Sequence, residues 1–371
     1  MKLPQLKMGD LVARMPIVQG GMGVGVSLSG LASAVAEEGG IGVIAAAMIG
    51  LTNPASGKDH AKNHIDALAS EIRKAKEKTK GVLGVNIMVA LSNFADMVST
   101  SIKEGADVIF SGAGLPLDLP QYLTEGTKTK LVPIISSGRA ARIICKKWLS
   151  KFDYLPDAFV VEGPLAGGHL GFKPEQLDDP NYTLEQIVPE VLDAVKPFEE
   201  ESGKSIPVIA AGGVYSGEDI CKFIRMGAAG VQMGTRFVAT HECDADDKFK
   251  QAYIDAKKDD ITVIQSPVGL PGRAVKNDFL QQVSDGEKSP FKCPFHCIKS
   301  CKVEKSPYCI ASALINAQRG KLKAGFAFAG ANAWRIEKIV SVKELFAELK
   351  NEFLQACSGL PNPLHPEEVK S

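Results

Sequence analysis

Eight short apolar runs, most followed by a stretch of helical period, constrain the fold of this chain more than any other feature. The runs are Pro16–Gln19, Ile41–Ala46, Val82–Met88, Val108–Ser111, Leu131–Ser136, Ala158–Glu162, Pro207–Ala211 and Gly230–Met233. They are rich in Val and Ile, too short for helices and bounded by Gly, Ser or Pro, so they read as strands. Helical periodicity falls between them at Leu31–Glu38, Ala61–Lys80, Phe94–Glu104, Arg139–Ser150, Leu184–Glu200 and Glu218–Met226, with Leu117–Tyr122 as a shortened helix. Ser29 and Ser216 stand at N-cap positions, and Gly39, Gly105 and Gly227 at C-terminal ones. Apolar strands alternating with helices require a parallel sheet covered on both faces. Eight such units in about 240 residues fit a closed (β/α)8 TIM barrel better than an open doubly wound sheet. The special residues decide between the two, because they fall almost always just after a strand.

After Arg236 this rhythm stops. His241–Ile261 reads as a charged helix, Ser266–Asp278 as a Gly- and Pro-containing loop, Ala311–Arg319 as a helix and Ser341–Phe353 as a closing helix. The expected organisation is a barrel over 1–240 and a mostly helical insertion over its C-terminal mouth at 241–330. A closing helix in 331–357 and a loose tail over 358–371 complete it. Lys+Arg and Asp+Glu balance at 43 each, which leaves no electrostatic footprint for nucleic acid or an anionic membrane. The longest apolar stretch, Ile41–Leu51, falls short of the roughly 18 residues of a membrane span. No signal-peptide pattern opens the chain, so a cytoplasmic location is expected.

Candidate chemistry gathers at the strand ends. The seventh strand runs into Ala211-Gly212-Gly213 and the eighth into Gln232-Met233-Gly234-Thr235-Arg236. In barrel enzymes these two loops form a phosphate site, where glycines let backbone N–H groups approach the anion. Thr235 adds a hydroxyl and Arg236 a charge; the bland alternative is a pair of tight turns. The sixth strand leads into Gly167-Gly168-His169-Leu170-Gly171, three glycines around one imidazole. That pattern leaves room for a planar ligand and presents a group suited to acid–base work. The alternative is a loop histidine bonded to a neighbour. Glu162 either accepts hydrogen bonds from a ligand or is a solvated rim residue. Asn86 either offers its amide to a heterocycle or caps the following loop. Gln19-Gly20-Gly21-Met22-Gly23 provides a second close-approach backbone, and Gln232 is placed to reach inward.

Met15-Pro16-Ile17-Val18-Gln19-Gly20-Gly21-Met22 resembles the opening of the nitronate monooxygenase (2-nitropropane dioxygenase-like) flavoproteins. Val85-Asn86, Glu162-Gly163, Gly167 to Gly171, Ala210 to Gly213 and Gln232 to Phe237 are similar to that family's later motifs, in the same order. Gly330-Ala331-Asn332-Ala333 resembles, more weakly, its late Gly-Gln-Ala segment. The resemblance implies FMN on a TIM barrel, with His169 beside the flavin as the catalytic residue. It places Gly20, Gly21, Met22 and Asn86 against the isoalloxazine, and Glu162 and Gly168 along the ring or ribityl side. Gly212, Gly213, Gly234 and Thr235 would hold the phosphate. The reaction implied first is oxidation of alkyl nitronates with O2. A sister branch, the flavin-dependent enoyl-ACP reductases, implies instead hydride transfer from NAD(P)H through FMN to an enoyl thioester. A non-catalytic flavin- or metal-binding sensor is the third reading, against which His169 argues.

Half of the eight cysteines, Cys293, Cys297, Cys301 and Cys309, lie in one short segment. The first three are four apart and would share one face of a helix. Thiolates so gathered suit a 4Fe-4S cluster or zinc; the alternative is four reduced cysteines packed as small apolar groups. Cys145, Cys221, Cys243 and Cys357 are scattered and read as reduced core or surface residues.

Overall fold

The structure, a computed structural model, describes residues 3–52, 59–288, 293, 295–299 and 301–358. It opens with a hairpin of β1 (Leu6–Met8) and β2 (Leu11–Ala13), followed by the first barrel strand, β3 (Ile17–Gln19). The barrel continues through β4 (Ile41–Ala45), β5 (Val82–Met88), β6 (Val108–Gly112), β7 (Lys130–Ile135) and β8 (Phe159–Glu162). A two-residue strand, β9 (Gly168–His169), precedes the last barrel strands, β10 (Val208–Ala211) and β11 (Gly230–Met233). Parallel pairing in the order β10-β11-β3-β4-β5-β6-β7-β8 closes the barrel. All eight sequence-predicted strands are therefore staves of one cylinder.

The helices are α1 (Ser29–Glu37), α2 (His60–Lys78), α3 (Phe94–Lys103), α4 (Gly138–Phe152), α5 (Leu184–Ser202) and α6 (Gly217–Arg225) around the barrel. Further along come α7 (Thr235–Val238), α8 (Asp247–Ile254), α9 (Asp278–Ser284), α10 (Ile310–Gln318) and α11 (Val342–Ala356). No helix among the described residues is long and apolar enough to cross a membrane.

Strand period sorts the core into two shells. Val18, Val43, Val108, Phe110, Val132, Val160 and Ile209 fill the barrel interior, and Leu6, Met8 and Ala13 of the hairpin join that cluster as its floor. Phe110 fits because position 84 is glycine: a Cβ there would lie 2.8 Å from its ring. Neighbouring residues such as Ile44, Ile109 and Val161 face outward and pack under the helices. Burying a side chain of this size contributes about 1.5–3 kcal/mol, so the polar rim above can be spent on function.

Local signals at the helix ends are mostly met. Ser216 caps α6 and forms a reciprocal capping box with Asp219. Gly39, Gly105 and Gly227 all take positive φ. Ser29 departs from its expected role and is the first helical residue. The carboxylate of Asp244 instead accepts from the N–H groups of Leu28, Gly30 and Leu31 at 2.7–3.1 Å. A residue beyond the barrel strands thus caps the first barrel helix, something no local pattern could show.

Two segments differ from expectation by partner choice. The His241–Ile261 run is α-helical only over Asp247–Ile254, with a short 3-10 turn at Lys258–Asp260. Its end leaves as β12 (Ile261–Gln265), which pairs antiparallel with β13 (Pro271–Val275). Residues read as a loop therefore form a hairpin strand. Cys221 and Cys357, expected to be reduced, form a disulfide that ties α6 to the end of α11. After Ser358 the expected tail lies outside the described residues.

The disulfide encloses a sequence separation of 136 residues, and closing a loop of that size restricts the unfolded chain by about 5 kcal/mol in the chain-entropy account, of which disulfides typically deliver about 2–4 kcal/mol. Reduction, or the Cys221→Ser/Cys357→Ser pair, is expected to lower the urea-unfolding free energy by that order. Equal denaturation midpoints with and without a reductant would show that the bond carries no stability.

Candidate active site

Apart from Arg236, the residues to which the sequence gives a place around FMN, and His169 with them, line one cavity of about 300 Å³ at the C-terminal mouth of the barrel. β3 delivers Gly20, Gly21 and Met22; β5 delivers Asn86; β8 and the loop after it deliver Glu162, Gly168 and His169. Gly212 and Gly213 follow β10, while Gln232, Gly234 and Thr235 come from β11 and the start of α7.

The glycines are there because backbones must approach closely. Gly212 and Gly213 have φ of 84° and 107°, which disfavours any side chain. A Cβ on Gly212 would also lie 2.6 Å from the Gly163 carbonyl. The late segment joins them: Asn332 Nδ2 donates to the Gly213 carbonyl at 2.7 Å, and Gly330 N–H donates to Thr235 Oγ1 at 3.0 Å. Arg236 takes no part. Its guanidinium is buried, donates to the Tyr215 carbonyl at 3.1 Å, pairs with Glu348 at 2.9 Å and lies 4.4 Å above the Tyr215 ring. The charge expected for a phosphate is used for packing instead.

His169 is built by two strands that meet from different parts of the chain. β9 pairs antiparallel with β13, Gly272 opposite His169 and Arg273 opposite Gly168. Arg273 is buried, and its Nη1 donates to the Pro164 and Ala166 carbonyls at 2.5 and 2.7 Å. On the other side of the loop, a Cβ at Gly167 would fall 2.5 Å from the Ala329–Gly330 backbone. The imidazole itself has Nε2 at 2.7 Å from Ser266 Oγ and the edge of Phe328 at 5.0 Å between ring centres. Ser266, Arg273 and Phe328 escaped sequence reasoning, since no motif links a hairpin near residue 270 to a loop near 168.

The electrostatics of the cavity follow from enclosure. Removal from water pushes the His169 ring down to about 4, so it is neutral at pH 7. The same cause pushes the Glu162 carboxyl up to about 7. Both side chains keep some surface on the cavity, but protein surrounds them. Among the described residues lining the cavity there is no Lys or Arg.

The residues fit an FMN. Gln232 Oε1 is buried without a hydrogen-bond partner among the described residues, an acceptor that a ring N–H would satisfy. Glycine at 21 makes room for Asn86, since a Cβ there would lie 2.3 Å from the Asn86 Cβ. The glycine-lined end supplies the bare backbone that a phosphate needs.

The metal centre that the cysteine spacing suggests finds no support among the described residues. Among the described residues no group of three or more His, Cys, Asp or Glu is placed to hold a metal ion. The 4Fe-4S cluster or zinc expected of Cys293, Cys297, Cys301 and Cys309 therefore has no support among the described residues. Among the described residues no helix runs through Cys293, Cys297 and Cys301: Ile298 bridges to Leu91, Cys297 O accepts from Ser92 N–H at 3.1 Å, and Lys299 N–H reaches Ala90 O at 3.0 Å. Cys297 and Cys309 pack instead against Val24, Met48, Ala311 and Ile315. Burial, with neighbouring thiols adding to it, pushes the Cys297 thiol up to about 12, so it stays protonated.

The closed barrel with this cavity at its mouth, taken with the family and structural matches that follow, places the chain among the FMN-dependent oxidoreductases. Within that class the chain belongs to the nitronate monooxygenase family, whose model matches residues 5–352. A Mycobacterium tuberculosis relative is 32% identical over 274 residues, 74% of this chain and 66% of that protein. It is described as (3aS,4S,5R,7aS)-5-hydroxy-7a-methyl-1-oxo-octahydro-1H-indene-4-carboxyl-CoA dehydrogenase, and the match spans just under two-thirds of its length. A probable nitronate monooxygenase of Staphylococcus saprophyticus is 25% identical, over 77% of this chain and 82% of its own. Among solved structures, FabK from Thermotoga maritima superposes with a TM-score of 0.71 at 29% identity, covering 94% of this chain and 95% of that one.

Two outcomes follow from the geometry. Gly212→Ala forces both a strained φ and a backbone overlap, so flavin bound per mole of purified protein is expected to fall at least about tenfold; unchanged flavin absorbance would refute that. For Glu162, the folded carboxyl holds its proton up to about pH 7, whereas the unfolded one loses it near its ordinary value. Stability from this group therefore falls as pH rises towards 7 and is level above. Glu162→Gln should gain stability over wild type at pH 8 but not at pH 4, read from urea midpoints of flavin-stripped protein.

Proposed function

We propose that this protein reduces the α,β-double bond of an enoyl thioester, with NAD(P)H as hydride source and FMN as carrier. The observation that carries this reading is a cavity whose described lining has no cationic side chain and a neutral imidazole. A nitronate is a small anion, and enclosing it without a partner charge is costly. A thioester is neutral and asks for two things only: a hydrogen-bond donor for its carbonyl and an apolar wall for its acyl chain. His169 is the donor. Val24, Val26, Leu314 and Phe328 supply the wall. The name of the mycobacterial relative, a carboxyl-CoA dehydrogenase, points to the same acyl thioester class.

In this reading Gly20, Gly21, Met22, Asn86 and Gln232 hold the ring, Glu162 and Gly168 flank it, and Gly212, Gly213, Gly234 and Thr235 take the phosphate. Bound FMN would supply the hydride acceptor and donor of the reaction. His169 orients the thioester carbonyl and steadies the negative charge that builds on its oxygen as hydride reaches the β-carbon. A proton from water completes the α-carbon. The apolar wall excludes water from the acyl chain, which strengthens the one hydrogen bond that matters.

Anaerobic addition of NADH or NADPH to the holoenzyme is expected to bleach the flavin, and a short enoyl-CoA to restore its colour. His169→Asn should lower kcat by about 10²–10⁴. Bleaching by an alkyl nitronate but not by either nicotinamide would replace this reading with nitronate oxidation by O2.

A further inference from the structure

Ser266 lies outside the cavity lining, yet it makes the one hydrogen bond that the His169 side chain has among the described residues. Its position is built in by the sequence Ser266-Pro267-Val268-Gly269 between β12 and β13. Ser at the first place, Pro at the second and Gly at the fourth suit a β-turn. Here Gly269 N–H donates to Ser266 O at 2.9 Å and Ser266 N–H donates to Leu270 O at 3.0 Å. Gly269 takes φ of +87°. The turn holds Ser266 3% exposed while the register of β13 on β9 fixes the histidine opposite. Two independent strand pairings thus converge on one side-chain contact.

We infer that Ser266 is a positioning residue for His169: its hydroxyl donates to Nε2 and holds the imidazole in the Nδ1–H tautomer. The direction of the bond follows from an accounting of protons. Ser266 Oγ already accepts from Val268 N–H at 3.4 Å. Its own proton has no acceptor among the described residues other than His169 Nε2. If Nε2 carried the ring proton, the buried serine proton would be left unmatched. With Nε2 accepting, both groups are satisfied, and the ring keeps a single N–H on the nitrogen that has no hydrogen-bond partner among the described residues. Phe328 closes against the ring edge at 5.0 Å and limits the rotation that would exchange the two nitrogens.

The consequence rests on the enoyl thioester reading: Nδ1–H becomes the donor presented to the carbonyl, and Ser266 acts on the rate through the tautomer alone. Ser266 has no contact with the reacting atoms to make.

The test is 15N NMR of holoenzyme labelled at its six histidines, with His169→Asn used to assign the signal of this ring. The expected wild-type spectrum shows a protonated Nδ1 and an unprotonated, hydrogen-bonded Nε2. Ser266→Ala should give a mixture of tautomers, and Ser266→Thr, which keeps the hydroxyl, should restore the single form. With enoyl-CoA as substrate, kcat should fall about 10- to 100-fold in Ser266→Ala, with KM within about twofold and recovery in Ser266→Thr. A wild-type ring protonated on Nε2, or an unchanged tautomer in Ser266→Ala, overturns the inference without any need for activity. A tautomer shift in a protein whose flavin NAD(P)H does not bleach would uphold Ser266 and reject the enoyl thioester reading instead.

Discussion

The antiparallel pairing of Gly272–Arg273 with Gly168–His169 is the contact on which the site depends. A barrel alone would leave the loop after β8 as a glycine-rich flap, free to sample many conformations. Here β13 gives it a strand partner on one side, and the Ala329–Gly330 backbone presses on the other. Arg273 then draws the carbonyls of Pro164 and Ala166 onto one guanidinium. Burial lowers that cation's pKa, so the carbonyl dipoles must offset its desolvation. The cost is tolerable because the same bonds satisfy loop carbonyls that would otherwise be buried unpaired. Chain beyond the eighth barrel strand is therefore part of the active site's frame.

This explains what could and could not be read from the sequence. The eight staves were legible because barrel strands are buried on both faces and must be apolar along their length. Gly212, Gly213, Gly234 and Thr235 were legible because a fixed rule places anions at those two strand ends. Asn86 and Glu162 stood out as polar interruptions of apolar strands, and both line the cavity. β13 was hidden because its sequence, Pro271-Gly272-Arg273-Ala274-Val275, begins with two turn residues. Its strand character comes from partners at β12 and β9, which are tertiary contacts. Asp244 was hidden for the same reason, since it caps α1 from more than 200 positions away.

The cysteines show how far local spacing carries. Three thiols at four-residue intervals align only if the backbone is helical. The loop after β5 competes for that backbone: it engages Cys297 O and Lys299 N–H. Cys309 does reach a helix, but as its N-cap, with Sγ accepting from Ser312 N–H at 3.5 Å. The thiol that mattered structurally was one the spacing ignored, Cys357, which meets Cys221 because α11 packs on α6.

One desolvated cavity moves its acid and its base in opposite directions, and each shift favours the uncharged form by the same cause. Glu162 is raised and His169 lowered, so near pH 7 the described cavity wall carries no positive charge and only a partly ionised carboxylate. Arg236, the cation nearest in sequence to the expected phosphate, is committed to Glu348 and Tyr215. A dianionic phosphate entering this barrel would then rely on backbone dipoles and the Thr235 hydroxyl rather than on an ion pair. Such dipoles work only at close range, which demands residues without a Cβ. The positive φ of Gly212 and Gly213 is on this account the counterpart of the missing cation: where no side chain brings charge to the ligand, the main chain has to come to it.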